Sequence, residues 1–182
     1  MSADHLLEVD DLRVSFATEE GVVRAVDGVS FYLDAGEALA IVGESGSGKS
    51  AMSLTLMGLT RDTNATFNGH VYFEGSELVG ASESALRHIR GREIAMIFQD
   101  PMSALNPVYR VGEQIAEQIR AHERISKRKA GERAIELMTR VGIPQARERA
   151  GAYPHEFSGG MRQRVMIAMA FSCSPRCLHR ST

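Results

Sequence analysis

The chain has 182 residues, of which 43% are hydrophobic and 24% charged, and its net charge is −2. These values are typical of one globular domain with a buried core, and they exclude a general electrostatic attraction to nucleic acid or anionic membranes. No run of 18 apolar residues could span a bilayer, no secretory signal opens the chain, and there are only two cysteines. We therefore expect a cytoplasmic protein whose fold does not depend on disulfides.

Residues 6–42 are rich in short segments of β-type sequence. Apolar residues alternate or cluster in Leu6–Val9, Leu12–Phe16, Val22–Val26 and Val29–Leu33, which predicts four strands. After the turn-forming Asp-Ala-Gly at 34–36, the apolar run Ala38–Val42 predicts a buried parallel strand.

The next segment, residues 43–50, matches the phosphate-binding pattern G-x-x-x-x-G-K-[ST] at every fixed position. It lies between the predicted strand and a predicted helix start, whereas a glycine-rich turn without function is the alternative reading. Glycines let successive N–H groups face a polyphosphate, and the helix N-terminus attracts the same anion. Lys49 is expected to reach the β and γ phosphates and Ser50 to ligate Mg²⁺. The predicted nucleotide-binding residues here are Gly43, Ser45, Gly46, Gly48, Lys49 and Ser50.

From residue 59 to 98 the sequence predicts two strands and one helix. The strands are residues 70–73 and 94–98, and Ser82 can cap a helix over Glu83–Ile89. Beyond Pro101 the pattern becomes helical. Apolar side chains recur at helical spacing in two stretches, and a final helix is predicted from about 160 to 172, whereas the charged run 123–133 predicts a solvated face and a turn. The two apolar stripes consist of Val111, Ile115 and Ile119, and of Ala134, Leu137, Met138 and Val141.

A second motif narrows the class of protein. Residues 157–164, Phe-Ser-Gly-Gly-Met-Arg-Gln-Arg, resemble the ABC signature LSGGQ, with Phe in place of Leu and Met in place of Gln. Ser158, Gly159 and Gly160 offer a hydroxyl and unhindered N–H groups at a helix N-terminus, which suits an anion. The resemblance to ABC ATPases implies that this turn binds the γ-phosphate held by the opposite subunit. Two ABC ATPase subunits, identical or different, would then enclose two ATP molecules.

A third motif points to one branch of that family. The string Ile97–Pro107 looks like a Q-loop, and with Tyr153-Pro154-His155-Glu156 it resembles the oligopeptide/dipeptide (peptide/nickel) importer ATPases. The resemblance implies that Gln99 touches Mg²⁺ and the attacking water, and that the flanking residues meet a membrane permease. Phe16 falls where the family stacks an aromatic ring on adenine, although a core phenylalanine is an equal alternative.

The resemblance also implies the fold. We expect an α/β protein, a P-loop NTPase core of the ABC type with an N-terminal antiparallel β-subdomain, a helical subdomain, and the C-terminal part of the core sheet missing. The predicted organisation is one incomplete ATP-binding domain over 1–182. Its parts are a β-rich and phosphate-loop part at about 1–100, a helical subdomain at about 101–160, and the signature helix with an aberrant tail at 161–182.

The end of the chain departs from the family pattern. The Walker B Asp and Glu should fall at Ser181 and Thr182, and the preceding apolar strand is expected to be lost after Leu178. A truncated or out-of-frame product is therefore expected, which would be inactive alone although the family hydrolyses ATP. Cys173, Cys177 and His179 invite a metal site, but three clustered ligands without a fourth make zinc a poor fit.

The sequence leaves three functions open. The first is the ATP-binding subunit of a bacterial importer for di- or oligopeptides, using ATP and Mg²⁺, on the inner face of the cell membrane beside integral permease subunits. The alternative is a truncated, hydrolysis-deficient nucleotide-binding fragment without transport activity. A soluble ABC ATPase acting on DNA or the ribosome is disfavoured by the string at 97–107 and by the lack of a basic stripe.

Overall fold

The computed structural model describes residues 5–60, 64–97 and 104–180. The chain divides into two compact units, Met1–Arg87 and His88–Thr182, and each is described by itself. The first holds an antiparallel sheet and the phosphate loop. The second holds a helical bundle and a short parallel sheet.

The first unit is built on a four-stranded antiparallel sheet. Its strands are β1 (Leu7–Thr18), β2 (Gly21–Leu33), β3 (Ala65–Phe73) and β4 (Ser76–Glu77), in the order β2-β1-β3-β4. The antiparallel β-subdomain is thereby confirmed. The four segments predicted over 6–33 are two long strands, because register shifts between Val9 and Leu12 and between Val14 and Ser15 absorb the breaks in alternation. Leu12, Val14 and Val71 are fully buried.

The predicted buried strand over 38–42 is wrong. This segment has no strand assignment and none of its residues is buried. Leu39 is 48% exposed, Ile41 38% and Val42 91%. The apolar composition is typical of a strand that is buried on both faces. Neither of the two sheets formed by the described residues includes this segment, so it has no neighbouring strand there. Without hydrogen-bonded neighbours a parallel strand has no stable form.

Helices lie between and after the strands, and those at 49–56, 83–89 and 159–170 are close to the predicted positions. The helices are α1 (Lys49–Leu56), α2 (Glu83–Ile89), α3 (Val111–His122), α4 (Lys127–Arg140), α5 (Ala146–Arg149) and α6 (Gly159–Ala170). A 3₁₀ turn, Pro154–Glu156, precedes α6. The core of the second unit forms where the predicted apolar stripes of α3 and α4 meet α6. Its fully buried members include Val111, Ile115, Ile119, Ala134, Met138 and Val165.

The second unit also contains a parallel pair of strands, β5 (Ile94–Ile97) and β6 (Cys177–Arg180). The expectation that strand structure is lost after Leu178 is therefore wrong. Pairing continues through His179 opposite Met96 and Arg180 opposite Ile97. The ladder is made by backbone groups, so it tolerates side chains that are not apolar. Cys177 is buried at this sheet, whereas Leu178 is exposed.

Candidate functional site

The phosphate loop folds around the ammonium group of Lys49. Its Nζ donates to the carbonyl oxygens of Gly43 and Glu44, at 2.7 Å each, and to Ser47 Oγ at 3.2 Å. The loop turns at residues 45–46 and α1 begins at Lys49, so the first N–H groups of the helix open toward the same loop. A positive side chain and a positive helix end therefore converge on one concave turn, which is the chemistry of a phosphate site.

Two glycines of this loop take backbone conformations that other residues avoid. Gly46 has φ +83° and Gly48 has φ +87°, both in the left-handed region. At Gly48 the space is also closed, because a Cβ there would lie 1.9 Å from the carbonyl oxygen of Ala25 on β2. At Gly46 nothing lies within 4 Å. Gly48 is therefore required both by its left-handed φ and by the closed space around it, whereas Gly46 is required only by its φ.

The hydroxyl groups of the motif face solvent, and the helix behind them is anchored. Ser45 and Ser50 are exposed, so both are available to a ligand. Met52 and Leu56 are buried on α1, and the Ser53 hydroxyl donates to the Lys49 carbonyl at 2.8 Å. The phosphate loop is therefore connected to a helix that packs in the core of the first unit.

The signature residues form the N-terminus of α6. Ser158 is the N-cap, and its Oγ accepts a hydrogen bond from the Met161 N–H at 3.3 Å. Gly159 and Gly160 are exposed, and a Cβ at either position would meet nothing within 4 Å. No contact with the residues that the structure describes therefore requires glycine there. Phe157, at 2% exposure, fixes the entry to the helix in the core.

A second exposed feature precedes α3. Val108 is 71% exposed and Tyr109 55%, in a turn held from below by the buried Gln114. The Gln114 side chain accepts from the Asn106 N–H and donates to the carbonyls of Asn106 and Tyr109, all at 2.9 Å. Sequence reasoning missed Gln114. The available signal was a polar residue beside the apolar stripe of α3, because a buried amide needs hydrogen-bond partners.

The other predicted site residues are either outside the described residues or only partly buried. Gln99 lies outside the described residues, and so do Ser181 and Thr182. Phe16 is half-buried on β1, opposite Val23 and Ala65; its contact with adenine remains a prediction.

The residues considered for a metal lie in or beside β6. Burial raises the pKa of both thiols, Cys173 and Cys177, and lowers the pKa of His179. Protonated thiols are poor metal ligands. Within residues 5–60, 64–97 and 104–180, no three His, Cys, Asp or Glu side chains are grouped so that they could hold a metal ion.

Comparison with known proteins defines the class. The ABC transporter family matches residues 26–179, which covers most of the chain, so this protein belongs to the ABC transporter family. Among curated proteins, the oligopeptide transport ATP-binding protein OppD of Bacillus subtilis is 55% identical over 174 residues, covering 95% of this chain and 49% of its own length. The protein of the same name from Salmonella typhimurium is 53% identical and is covered over 52% of its length.

The chain thus spans about half the length of these relatives, and the predicted resemblance to the oligopeptide branch is confirmed. The fold agrees as well. The dimeric ATP-binding cassette MJ0796, in a post-hydrolysis state with ADP and Pi, superposes with a TM-score of 0.82 at 26% identity. The match covers 96% of this chain and 72% of that one. In the described part of the chain, no helix is long and apolar enough to cross a membrane.

Proposed function

We propose that this chain is the nucleotide-binding part of an ATP-binding subunit in an importer of di- or oligopeptides. The observation that carries the proposal is the 55% identity to an oligopeptide transport ATP-binding protein, and it is supported by a phosphate loop in which the Lys49 ammonium lies against the carbonyls of Gly43 and Glu44. In this role ATP binding and hydrolysis drive transport through a separate permease.

The residues of the phosphate loop fit a magnesium-bound nucleoside triphosphate. Lys49 now donates to two backbone carbonyls, and the same ammonium can donate to β- and γ-phosphate oxygens. Ser50 is exposed in the first turn of α1 and would hold Mg²⁺, with Gln99 as the second proposed ligand. The bound ion neutralises charge on the phosphates. Phe16 would supply the face on which adenine stacks.

The exposed glycines of α6 support a partner subunit. A Cβ at Gly159 or Gly160 would touch nothing in the part of the chain that the structure describes, so their small size serves a group that approaches from outside. A γ-phosphate held by a second ABC ATPase subunit fits that place, because the helix N-terminus and the Ser158 hydroxyl both favour an anion. Two subunits would then close over two nucleotides.

The turn before α3 supports a permease partner. Val108 and Tyr109 present apolar surface on a backbone that the Gln114 side chain holds in one conformation. A rigid exposed aromatic group is the residue type that anchors protein interfaces. The subunit would accordingly sit at the inner face of the cell membrane, bound to integral permease subunits.

The test is a chimera. Residues matched between this chain and the Bacillus subtilis relative are exchanged, so that the relative keeps its remaining half, and uptake of a labelled oligopeptide is measured in cells lacking the native protein. We expect uptake with the chimera and none with its Lys49→Ala variant. Lys127→Ala, an exposed lysine on α4, is the matched control and should behave as the unmodified chimera.

Nucleotide binding is measured separately, by calorimetry with MgATP on the 182-residue chain. Lys49→Ala should weaken binding at least about tenfold, or about 1.4 kcal/mol. Equal affinity in both proteins would reject the nucleotide site. A chimera that binds MgATP and is produced at the normal level, but gives no uptake, would instead favour a nucleotide-binding chain without transport activity.

A further inference from the structure

Two arginines connect helices α4 and α6, each reaching from the middle of one helix to the end of the other. Arg164, at the middle of α6, donates to carbonyls at the C-terminal end of α4, and Arg133, at the middle of α4, donates to the carbonyl of Ser172, two residues beyond the end of α6. The two helices therefore run antiparallel. Between the ties they share the apolar core of this unit, with Ala134 and Met138 on α4 and Val165 and Ala168 on α6.

The contact on the signature side of the pair is made by Arg164, six residues after Ser158. Its Nη1 donates to the Gly142 carbonyl at 2.9 Å and, more weakly, to the Val141 carbonyl at 3.4 Å. These carbonyls belong to the C-terminal end of α4, where acceptors have no partner inside the helix and the dipole favours a cation. Gly142 has φ +77°, and a Cβ on it would lie 2.5 Å from Arg164 Nη1. The missing side chain leaves room for the guanidinium.

The tie at the other end is stronger. Arg133 Nη1 lies 2.7 Å from each carboxylate oxygen of Glu123, the C-cap residue of α3, and its Nη2 donates to the Ser172 carbonyl at 3.0 Å. Arg133 and Glu123 are each only about one third exposed, and Ser172 is fully buried. One guanidinium thus joins α3, α4 and the end of α6 in a protected place.

We propose that these arginines form a reciprocal clamp, in which Arg133 anchors the C-terminal end of α6 and Arg164, at the middle of the helix, is the positioning residue that fixes the half carrying Ser158, Gly159 and Gly160. The proposal rests on the proposed role of those three residues toward a partner's nucleotide. The 12 residues of α6 make a lever of about 18 Å, so a tilt of about 3° about the anchored end moves the signature turn by about 1 Å. A displacement of that size can cost about 10² in a reaction that needs precise placement.

The exposure of the two arginines separates positioning from stability. Arg164 is exposed, so its loss should cost little folding free energy, whereas the signature turn it fixes would be misplaced. We therefore expect Arg164→Gln to change the melting temperature by less than about 4 °C. MgATP binding by the phosphate loop of the same chain should change less than twofold.

The test compares four variants of the full 182-residue chain with the wild type, using MgATP and light scattering to follow association. Arg164→Gln should require at least ten times more protein for half-maximal association, and Arg164→Lys should recover part of the loss by restoring one donor. Gly142→Asn approaches the contact from the other side, because asparagine tolerates a left-handed φ while its Cβ displaces the guanidinium. Arg147→Gln, an exposed arginine on α5, is the control and should match the wild type.

The association assay can fail because the arginine clamp is wrong or because the proposed nucleotide-dependent dimer is wrong, and its results distinguish the two cases. If the wild type associates in MgATP and Arg164→Gln associates equally well, the clamp is wrong. If the wild type binds MgATP but stays monomeric, the proposed dimer fails, and hydrogen exchange decides the clamp by itself. The amides of residues 161–163, which are the first in α6 to have hydrogen-bond acceptors, should then exchange at least tenfold faster in Arg164→Gln than in Arg147→Gln, and equal rates would overturn it.

Discussion

Replacing one glycine of the phosphate loop at a time separates two reasons for which a glycine is needed. Gly46 and Gly48 have nearly the same φ, +83° and +87°, but a Cβ at Gly46 meets nothing within 4 Å whereas one at Gly48 lies 1.9 Å from the Ala25 carbonyl oxygen. Gly46→Ala should therefore carry only the left-handed penalty, about 1–2 kcal/mol. Gly48→Ala adds the displacement of β2 or α1, at about 1–3 kcal/mol for an overpacked site, or about 2–5 kcal/mol together.

Thermal unfolding and MgATP calorimetry measure both effects. At about 2–4 °C per kcal/mol, Gly46→Ala should lower the melting temperature by about 2–8 °C and Gly48→Ala by about 4–20 °C. MgATP binding should weaken at least tenfold more in Gly48→Ala, because relief of the 1.9 Å contact moves the start of α1 and with it Lys49. Gly159→Ala, on an open and exposed helix end, is the control for the added methyl group. Equal losses of stability and affinity at positions 46 and 48 would refute the close-approach argument.

Three further predictions follow from the site and its surroundings. Ser158→Arg places a cation where the partner's γ-phosphate is proposed and should abolish MgATP-dependent association in light scattering; unchanged association would count against the signature's role. A polypeptide of residues 1–182 should release phosphate far below about 1 s⁻¹, because no acidic residue follows Glu156 and a positioned general base supplies about 10²–10⁴ in rate. Turnover near 1 s⁻¹ that disappears in Lys49→Ala would contradict this. Burial lowers the pKa of His179, so the unfolded chain binds its proton more tightly and stability should fall as pH drops below about 6.5. Between pH 7.5 and 5.5 the melting temperature of His179→Gln should fall less than that of the wild type. An equal dependence of melting temperature on pH in the two proteins would show that His179 does not cause the effect.

Local patterns of the sequence predicted the helices and the phosphate loop because both depend on neighbouring residues. The spacing of Val111, Ile115 and Ile119 describes one face of α3, and all three are fully buried. Ser158 was expected at a helix N-terminus and is the N-cap of α6. The sequence predicts that Lys49 reaches the β and γ phosphates, which stays a prediction, and in the structure its ammonium donates to the carbonyl of Gly43 within the same loop. In each case the deciding contacts lie within one or two turns of chain.

Contacts between distant segments could not be read in the same way. Arg164 and Gly142 are 22 residues apart, and Arg133 and Ser172 are 39 apart. An arginine in a charged or polar stretch of sequence has many equivalent partners, and only the packing of α4 against α6 selects a carbonyl for it. The register shifts along β1 are similar, since an interruption of alternation such as Asp10-Asp11 can end a strand or be absorbed by the register of the neighbouring strand.

The contrast between residues 38–42 and β6 shows what hydrophobic pattern measures. The first segment is apolar and is not a strand, whereas β6 contains Cys177, Leu178, His179 and Arg180 and pairs with β5 along its length. A strand is stabilised by backbone partners on its edges and by burial of its faces. Apolar sequence reports only the second condition. Residues 38–42 meet it in composition without a partner edge among the described strands, while β6 has the partner edge and needs little burial beyond Cys177.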